Sequence, residues 1–450
     1  MQVFKKNVYG LIPPERYNKK EPAIKVQRGD AMNKKWYNTT ELFDSYERRF
    51  AASRAGKLLT RPWEKADRAV ILNSLKAMLA YREDLIPDIC DMEAVSQKNY
   101  DTYDTVAYRY RTWPNFYGAA TLFMPRTKEK VPLVFICCGH GKQGRLTESY
   151  MAMGHRLASL GIAALSLDNI GQGDRNPTPE TDRGPDHWFS LSPFYAGLTL
   201  QGLIVMETVA MIRHMITDPR FDSSRFGACG NSGGGTLTMC LAGLAPELSV
   251  LASSGYPSEI PYILAKERRH CACNLLPGCA HGPEMWEIYS LFAPKPLLLE
   301  GGMSDLLIPM DLAHRNARKV RNTYEQFDAG KHFEFTLTKT GHSWDVPDLN
   351  RISRFLSERL LGITPEDAAD LFVDTQPSEH HVTMPENMLS TDALVESLTG
   401  IAMPEGTRLC DIFVPENNGQ PIDPDALQLD VGRGDVMRVF AQLECALKQI

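Results

Sequence analysis

A chain of 450 residues, with 43% hydrophobic and 23% charged residues, has the makeup of an ordinary soluble globular protein long enough to bury a large core. The net charge of −6 argues against a nucleic-acid partner, since polyanion binding needs clustered Lys and Arg, and runs such as Lys266-Glu267-Arg268-Arg269 are short and mixed. The longest apolar segment, Leu198 to Met215, is interrupted by Gln201, Glu207 and Arg213, so it reads as a helix beside a sheet and no membrane span is expected.

From the N-terminus, Met1-Gln2-Val3-Phe4-Lys5-Lys6-Asn7 is not followed by an apolar signal core. Ten cysteines in so long a chain do not make a disulfide scaffold, and with the missing signal core they favour a reducing, cytoplasmic setting. Residues 1–115 are polar and aromatic-rich and are expected to form a helical N-terminal extension. Helices are expected around Thr40–Ser53, where Thr39-Thr40-Glu41-Leu42 resembles a start, and around Trp63–Tyr81, where Pro62 marks the beginning. Ile71, Leu72, Leu75, Met78 and Leu79 recur at helical spacing and read as a core-facing stripe.

Over residues 116–362 apolar strands alternate with helices, the pattern of a mostly parallel sheet covered on both faces. The expected strands are Tyr117–Phe123, Leu133–Cys138, Ala163–Leu167, Arg225–Cys229, Val250–Ser254, Pro296–Glu300 and Phe333–Leu337. The expected helices are Ser149–Leu160, Leu198–Thr217, Thr236–Leu244, Asp311–Tyr324 and Leu349–Leu361. Right-handed crossovers then leave the strand C-termini on one edge, where open sheets of this kind bind ligands. Residues 363–450, rich in Pro, Asp and Glu and ending in a helical run at Val436–Lys448, form a C-terminal accessory region whose role stays open between subdomain, dimer arm and clamp.

The chemistry is carried by Gly230-Asn231-Ser232-Gly233-Gly234. It fits G-x-S-x-G, the tight turn that raises a serine nucleophile at the top of an α/β-hydrolase sheet, and it lies between a strand and a helix as that turn requires. A serine hydroxyl needs a base to take its proton, and the base needs an orienting acid, in the chain order Ser, Asp or Glu, His. Asp305 follows the strand Pro296–Glu300, and His342 follows the strand Phe333–Leu337. Asp305 could instead cap the following helix; Asp311, Asp328 and Asp345 are competitors with worse placement. The oxyanion formed on attack needs backbone donors: Gly233, directly after the serine, and a residue of Gly139-His140-Gly141-Lys142-Gln143-Gly144, with Gly141 preferred and Lys142 open. His140, Trp188 and Trp344 are candidate substrate contacts, and specificity is expected to rest on the long loops overhanging the sheet edge at Gly171–Ala196, which holds Trp188, and Tyr256–Met285. Cys271-Ala272-Cys273, with His270, Cys279 and His281, has zinc-type ligands, but the spacing is not that of a standard finger, so it reads as a loop and no metal or other cofactor is expected.

Gly139-His140-Gly141-Lys142, Asp168-Asn169-Ile170-Gly171-Gln172-Gly173-Asp174-Arg175 and Gly230-Asn231-Ser232-Gly233-Gly234 together resemble the acetyl xylan esterase-like α/β-hydrolases, relatives of the cephalosporin C deacetylases and dienelactone hydrolases. His270 to Gly278 and Ala293 to Leu298 also look like that group, and the resemblance spans about residues 115–362. It implies an α/β-hydrolase fold, Ser232, Asp305 and His342 as nucleophile, acid and base, and removal of acetyl groups from sugars. The reading is therefore a serine carboxylic-ester hydrolase acting on a small-molecule ester, with homo-oligomerisation open. An amidase or peptidase, a carbon–carbon or thioester hydrolase, and a non-catalytic binding protein that kept the fold are the alternatives.

Overall fold

The structure, a computed structural model, describes residues 68–178, 184, 191–264, 276, 282–371 and 377–407. Its strands are β1 (Cys90–Asn99), β2 (Tyr103–Arg111), β3 (Tyr117–Pro125), β4 (Val131–Cys137), β5 (Ala163–Leu167), β6 (Phe221–Asn231), β7 (Val250–Ser254), β8 (Leu297–Gly302) and β9 (Phe333–Thr338). The main helices are α1 (Arg68–Leu79), α2 (Glu148–Ser159), α3 (Leu200–Ile216), α4 (Gly233–Leu244), α5 (Met285–Ser290), α6 (Met310–Gln326), α7 (Val346–Leu360) and α8 (Thr391–Thr399). The strands form one sheet in the order β1-β2-β3-β5-β4-β6-β7-β8-β9. From β5 to β9 every pairing is parallel; β1, β2 and β3 add an antiparallel edge.

The central strands are apolar on both faces because both faces are covered. Every residue of β4, β5, β7 and β8 is buried. Alternation still divides them: Leu133, Phe135 and Cys137 of β4 pack into the layer holding α1, α3, α4, α5 and α6, whereas Val134 and Ile136 pack into the layer holding α2 and α7. Helix α3 is buried along most of its length, and Thr199 starts it by accepting from Gly202 N at 2.9 Å while donating to Leu79 O of α1 at 2.7 Å. The surface helix α6 buries Leu312, Ala313, Asn316, Ala317, Val320, Thr323 and Tyr324, the three-to-four spacing of one helical face.

The parallel strands and their helices agree with the expected elements to within a few residues. The N-terminal side differs. The segment expected to be helical up to residue 115 contributes α1 and then two strands, so the sheet extends beyond the boundary placed at 116. In β2, Tyr103, Thr105, Ala107 and Tyr110 are buried while Asp104, Arg109 and Arg111 are not, an edge pattern whose charged half hides the period-two signal. The expected helices at 40–53 and 436–448 lie outside the described residues.

The described part of the C-terminal region is held by buried charge. The Arg145 side chain is fully buried; it pairs with Asp168, bonds Asp174 Oδ2 at 2.8 Å and donates to His380 O at 2.5 Å. Asp174 also accepts from Val382 N at 2.8 Å and pairs with His381 Nδ1 at 2.6 Å. Arg175, in the same loop, forms a buried two-pronged pair with Glu207 of α3 at 2.6 and 2.9 Å. Residues 380–382 are thus strapped to the loop after β5. Arg145→Ala leaves Asp168 buried without its partner and is expected to lower unfolding free energy by about 3–5 kcal/mol in a urea titration. A loss below about 1 kcal/mol, the worth of a surface pair, would show that the strap does not depend on Arg145.

Candidate active site

The glycines of Gly230-Asn231-Ser232-Gly233-Gly234 answer to space. A β-carbon on Gly230 would collide with the carbonyl of Gly234, and one on Gly234 with the carbonyl of Cys137 at the end of β4. Only bare backbone lets α4 leave β6 this abruptly. Ser232, between strand and helix, takes φ 58° and ψ −120°, a left-handed conformation that costs about 1–3 kcal/mol and is kept because its surroundings impose it. Its N–H donates to Ser254 O on β7 at 3.1 Å.

The strained serine stands at the C-terminal end of β6, and two other chain segments reach it from the ends of β8 and β9. His342 Nε2 lies 2.8 Å from Ser232 Oγ, and His342 Nδ1 lies 2.8 Å from Asp305 Oδ2. The other oxygen of Asp305 accepts from Leu307 N at 2.7 Å and Ile308 N at 2.9 Å, so the carboxylate is fixed in place. The Asp305 side chain is 1% exposed and that of His342 is 25% exposed. The acid is shielded and the imidazole open towards the serine. This arrangement can deprotonate a hydroxyl and return the proton to a leaving group.

The competing aspartates are elsewhere. Asp311 pairs with Arg315 on α6 at 2.9 Å, and Asp345 starts α7 in a capping box with Asp348. Asp328 is the left-handed residue after α6, at φ 54°.

On the far side of the serine, the 139–144 loop approaches through Gly139 and His140. A β-carbon on Gly139 would lie 3.2 Å from Cβ of Ser232, and one on Gly233 would lie 3.0 Å from Cε1 of His140. For Gly141, preferred from sequence as the second donor, a β-carbon would meet Thr147 Oγ1 at 2.8 Å, and its carbonyl accepts from Gly144 N. Gly233 is the first residue of α4, so its N–H has no partner within the helix. Beside it lies a cavity of about 10 Å³, bordered by His140, Asn169, Gln172 and Gln201, with room for one water-sized group.

Of the expected substrate contacts, His140 borders this cavity and Trp188 lies outside the described residues. Trp344 is a correction. It is 1% exposed, donates from Nε1 to Ser254 Oγ at 2.5 Å and packs edge-on against Tyr150. It supports the site from below and offers nothing to a substrate. The 270–281 cluster lies almost wholly outside the described residues; among those described, no group of three or more His, Cys, Asp or Glu is placed to hold a metal.

Several supports had no signal beyond residue type. Asn231, the variable position of the motif, donates from Nδ2 to His342 O at 2.8 Å and accepts from Ser254 Oγ at 3.0 Å. Tyr150 accepts from Gly139 N at 2.6 Å and so fixes the loop beside the serine. These bonds join residues that are distant in sequence.

Residues 90–263 match the family described as acetyl xylan esterase (AXE1). This stretch is acetyl xylan esterase-like. Over this stretch the resemblance read from the sequence holds, and it supports a carboxylic-ester hydrolase. A Bacillus subtilis (strain 168) protein, YtaP, described only as a hydrolase, is 23% identical over 249 residues, which is 52% of this chain and 81% of that protein. Among solved structures, the methylesterase BT1017 superposes with a TM-score of 0.58 at 20% identity, covering 79% of this chain and 78% of that one. A Bacteroides fragilis NCTC 9343 protein described as an acetyl xylan esterase gives 0.51 at 14% identity, covering 74% and 86%. At these identities the two structures establish the shared α/β-hydrolase-type fold. No helix among the described residues is long and apolar enough to cross a membrane.

Asn231→Ala removes the side chain that holds the His342 backbone and leaves the buried Ser254 hydroxyl without its acceptor. The expected cost is about 1–3 kcal/mol of stability, measured by thermal and urea unfolding. Unfolding curves that coincide with those of the unsubstituted protein would show that Asn231 does not hold this loop.

Proposed function

We propose that this esterase works through Ser232 as nucleophile, His342 as general base and then acid, and Asp305 as the group that orients and stabilises the imidazolium. The observation that carries the reading is the unbroken hydrogen-bond line from Ser232 Oγ through both ring nitrogens of His342 to Asp305, ending on a serine in strained backbone. His342 takes the hydroxyl proton as the oxygen attacks the acyl carbonyl, and then delivers it to the departing alcohol. Water releases the acid from the acyl-enzyme by the same steps. The oxyanion is held by Gly233 N–H at the start of α4 and, in this reading, by the backbone N–H of His140 in place of Gly141, because His140 is the loop residue packed on Gly233.

The substrate we propose is an ester of a small, acetyl-type acid with a sugar or other small-molecule alcohol. The acetyl group is the one named by the family that residues 90–263 match. The acetyl xylan esterase match of residues 90–263 supports a sugar on the alcohol side. A reducing, cytoplasmic setting fits the free, buried Cys137, Cys138, Cys229 and Cys240.

Ser232→Ala is expected to lower kcat by on the order of 10⁴-fold or more and to abolish labelling by a fluorophosphonate probe. Near-normal turnover by that variant would refute the assignment. Asp305→Asn keeps the shape but presents an amide to His342 Nδ1, so a kcat loss on the order of 10⁴-fold is expected. Acyl selectivity is read by comparing acetyl with butyryl and longer 4-nitrophenyl esters and acetylated sugars with methyl esters of uronic acids. Preference for long acyl chains or for uronate methyl esters would overturn the small-acyl reading while leaving the serine assignment intact.

A further inference from the structure

Behind Asp305 and His342 lies a cluster of buried oxygen atoms that the chemistry above does not use. Glu300 of β8, Thr338 of β9, Thr340 in the loop after it and Asp348 in the first turn of α7 are all buried. Thr338 Oγ1 lies 2.6 Å from Glu300 Oε1 and 2.8 Å from Thr340 Oγ1, and is also bonded to Asp348 Oδ1. Thr340 Oγ1 lies 2.8 Å from the same Asp348 oxygen. The remaining oxygen of Asp348 accepts from Asp345 N at 2.9 Å.

A count of protons decides the charge of this cluster. The two threonines bring one hydroxyl proton each. With both carboxyls ionised, these two protons would serve four close oxygen pairs and leave Thr338 Oγ1 against one carboxylate with no proton between; a proton on one carboxyl leaves only the neutral Thr338–Thr340 pair without one, so the contacts favour one protonated carboxyl. Both oxygens of Asp348 accept, Oδ1 from Thr340 and Oδ2 from Asp345 N, which leaves the proton to Glu300.

We propose that Glu300 is a carboxylic acid in the folded protein around neutral pH, and that it starts a relay of donors, Glu300 to Thr338 to Asp348, which positions the loops bearing Asp305 and His342. Glu300 is five residues before Asp305 and Thr338 four before His342, and the relay joins the two strand ends to α7. The same loops are bonded through backbone, from Met303 N to Thr338 O at 2.8 Å and from Ser304 N to Thr340 O at 2.9 Å. The titratable groups acting on Glu300 are both carboxyls, Asp348 from α7 and Asp305 from the loop after β8, while its partner across β7 is Ser254 and across β9 is Thr336. Burial first, and the Asp348 charge second, hold the Glu300 carboxyl well above the ordinary glutamate range. The positioning role rests on the Ser232, His342 and Asp305 assignment; the bound proton does not.

The test uses the full chain and two substitutions. Glu300→Gln keeps a donor to Thr338 and cannot ionise; Glu300→Leu keeps bulk without a donor. An acid that holds its proton more tightly when folded loses stability as pH rises above the unfolded-state glutamate range, because the unfolded chain has released the proton and the folded chain has not. Glu300→Gln removes that dependence. The unfolding equilibrium constant of the unsubstituted protein, divided by that of Glu300→Gln, is therefore expected to rise about tenfold per pH unit from about pH 5 towards neutrality. A ratio flat between pH 5 and 8 would overturn the bound proton, and this measurement needs no ester turnover, so it stands apart from the serine assignment.

For positioning, Glu300→Gln is expected to retain ester turnover and to extend it to higher pH than the unsubstituted protein. Glu300→Leu is expected to lose on the order of 10²-fold in kcat/KM, the cost of a misplaced catalytic group. Thr338→Val, which breaks the relay with little change of shape, is expected to behave like Glu300→Leu and serves if that variant does not fold. Full activity in either donor-free variant, or the same alkaline limb in Glu300→Gln as in the unsubstituted protein, would overturn the positioning role.

Discussion

No side chain fits between the start of α4 and the end of β4. With Gly234 against the Cys137 carbonyl and Gly230 against the Gly234 carbonyl, the chain turns from β6 into α4 with nothing but backbone between the layers. That close approach forces the intervening Ser232 into left-handed backbone, lifts its hydroxyl clear of the sheet, and turns the free N–H groups of the helix start towards the same space. The position of His342, the reach of Asp305 and the loop carrying His140 are all set with respect to this one turn.

Beneath the turn the protein keeps a layer of polar groups where an ordinary hydrophobic core would do for stability alone. Asn231, Ser254 and Trp344 form one connected set, with Tyr150 packed on Trp344 and bonded to the 139–144 loop; Glu300, Thr338, Thr340 and Asp348 form another. Buried polar groups are costly unless partnered, and when partnered they fix distances more narrowly than apolar contact does. Each set connects different strands, so the loops that bring the serine, the acid and the base together are held by directional bonds. Arg145 and Arg175 do the same one step away, holding the loop after β5 to α3 and to residues 380–382.

The parallel half of the sheet was legible because its strands are buried on both faces and its helices keep a regular apolar stripe, so composition and period agree. Ala163–Leu167 and Val250–Ser254 were read at their observed bounds. The antiparallel edge was not legible, since β1 is largely solvent-facing and β2 mixes tyrosines with Asp104, Arg109 and Arg111; nothing local distinguishes such a segment from a polar extension until β3 is there to pair with it. Trp344, a candidate substrate contact two residues after His342, is turned inward, and its ring is used to support Ser254. Gly141 looked like the oxyanion donor by its place in a glycine-rich loop, while the fold of that loop brings Gly139 and His140 to Ser232 and Gly233.

By itself the sequence determined the order of the parallel elements, the strand–glycine turn–helix unit at Ser232, and the candidates Asp305 and His342 at the ends of two later strands. These are local properties: glycines where backbone must pass close, apolar runs where both faces are covered, and polar loop residues after each strand. Only the tertiary structure decided which polar residues meet. The bonds from Asn231 to His342, from Trp344 to Ser254, from Glu300 to Thr338 and from Arg145 to His380 span 111, 90, 38 and 235 positions. A hydrogen bond depends on distance in space, and chain spacing carries no record of it until the sheet has closed.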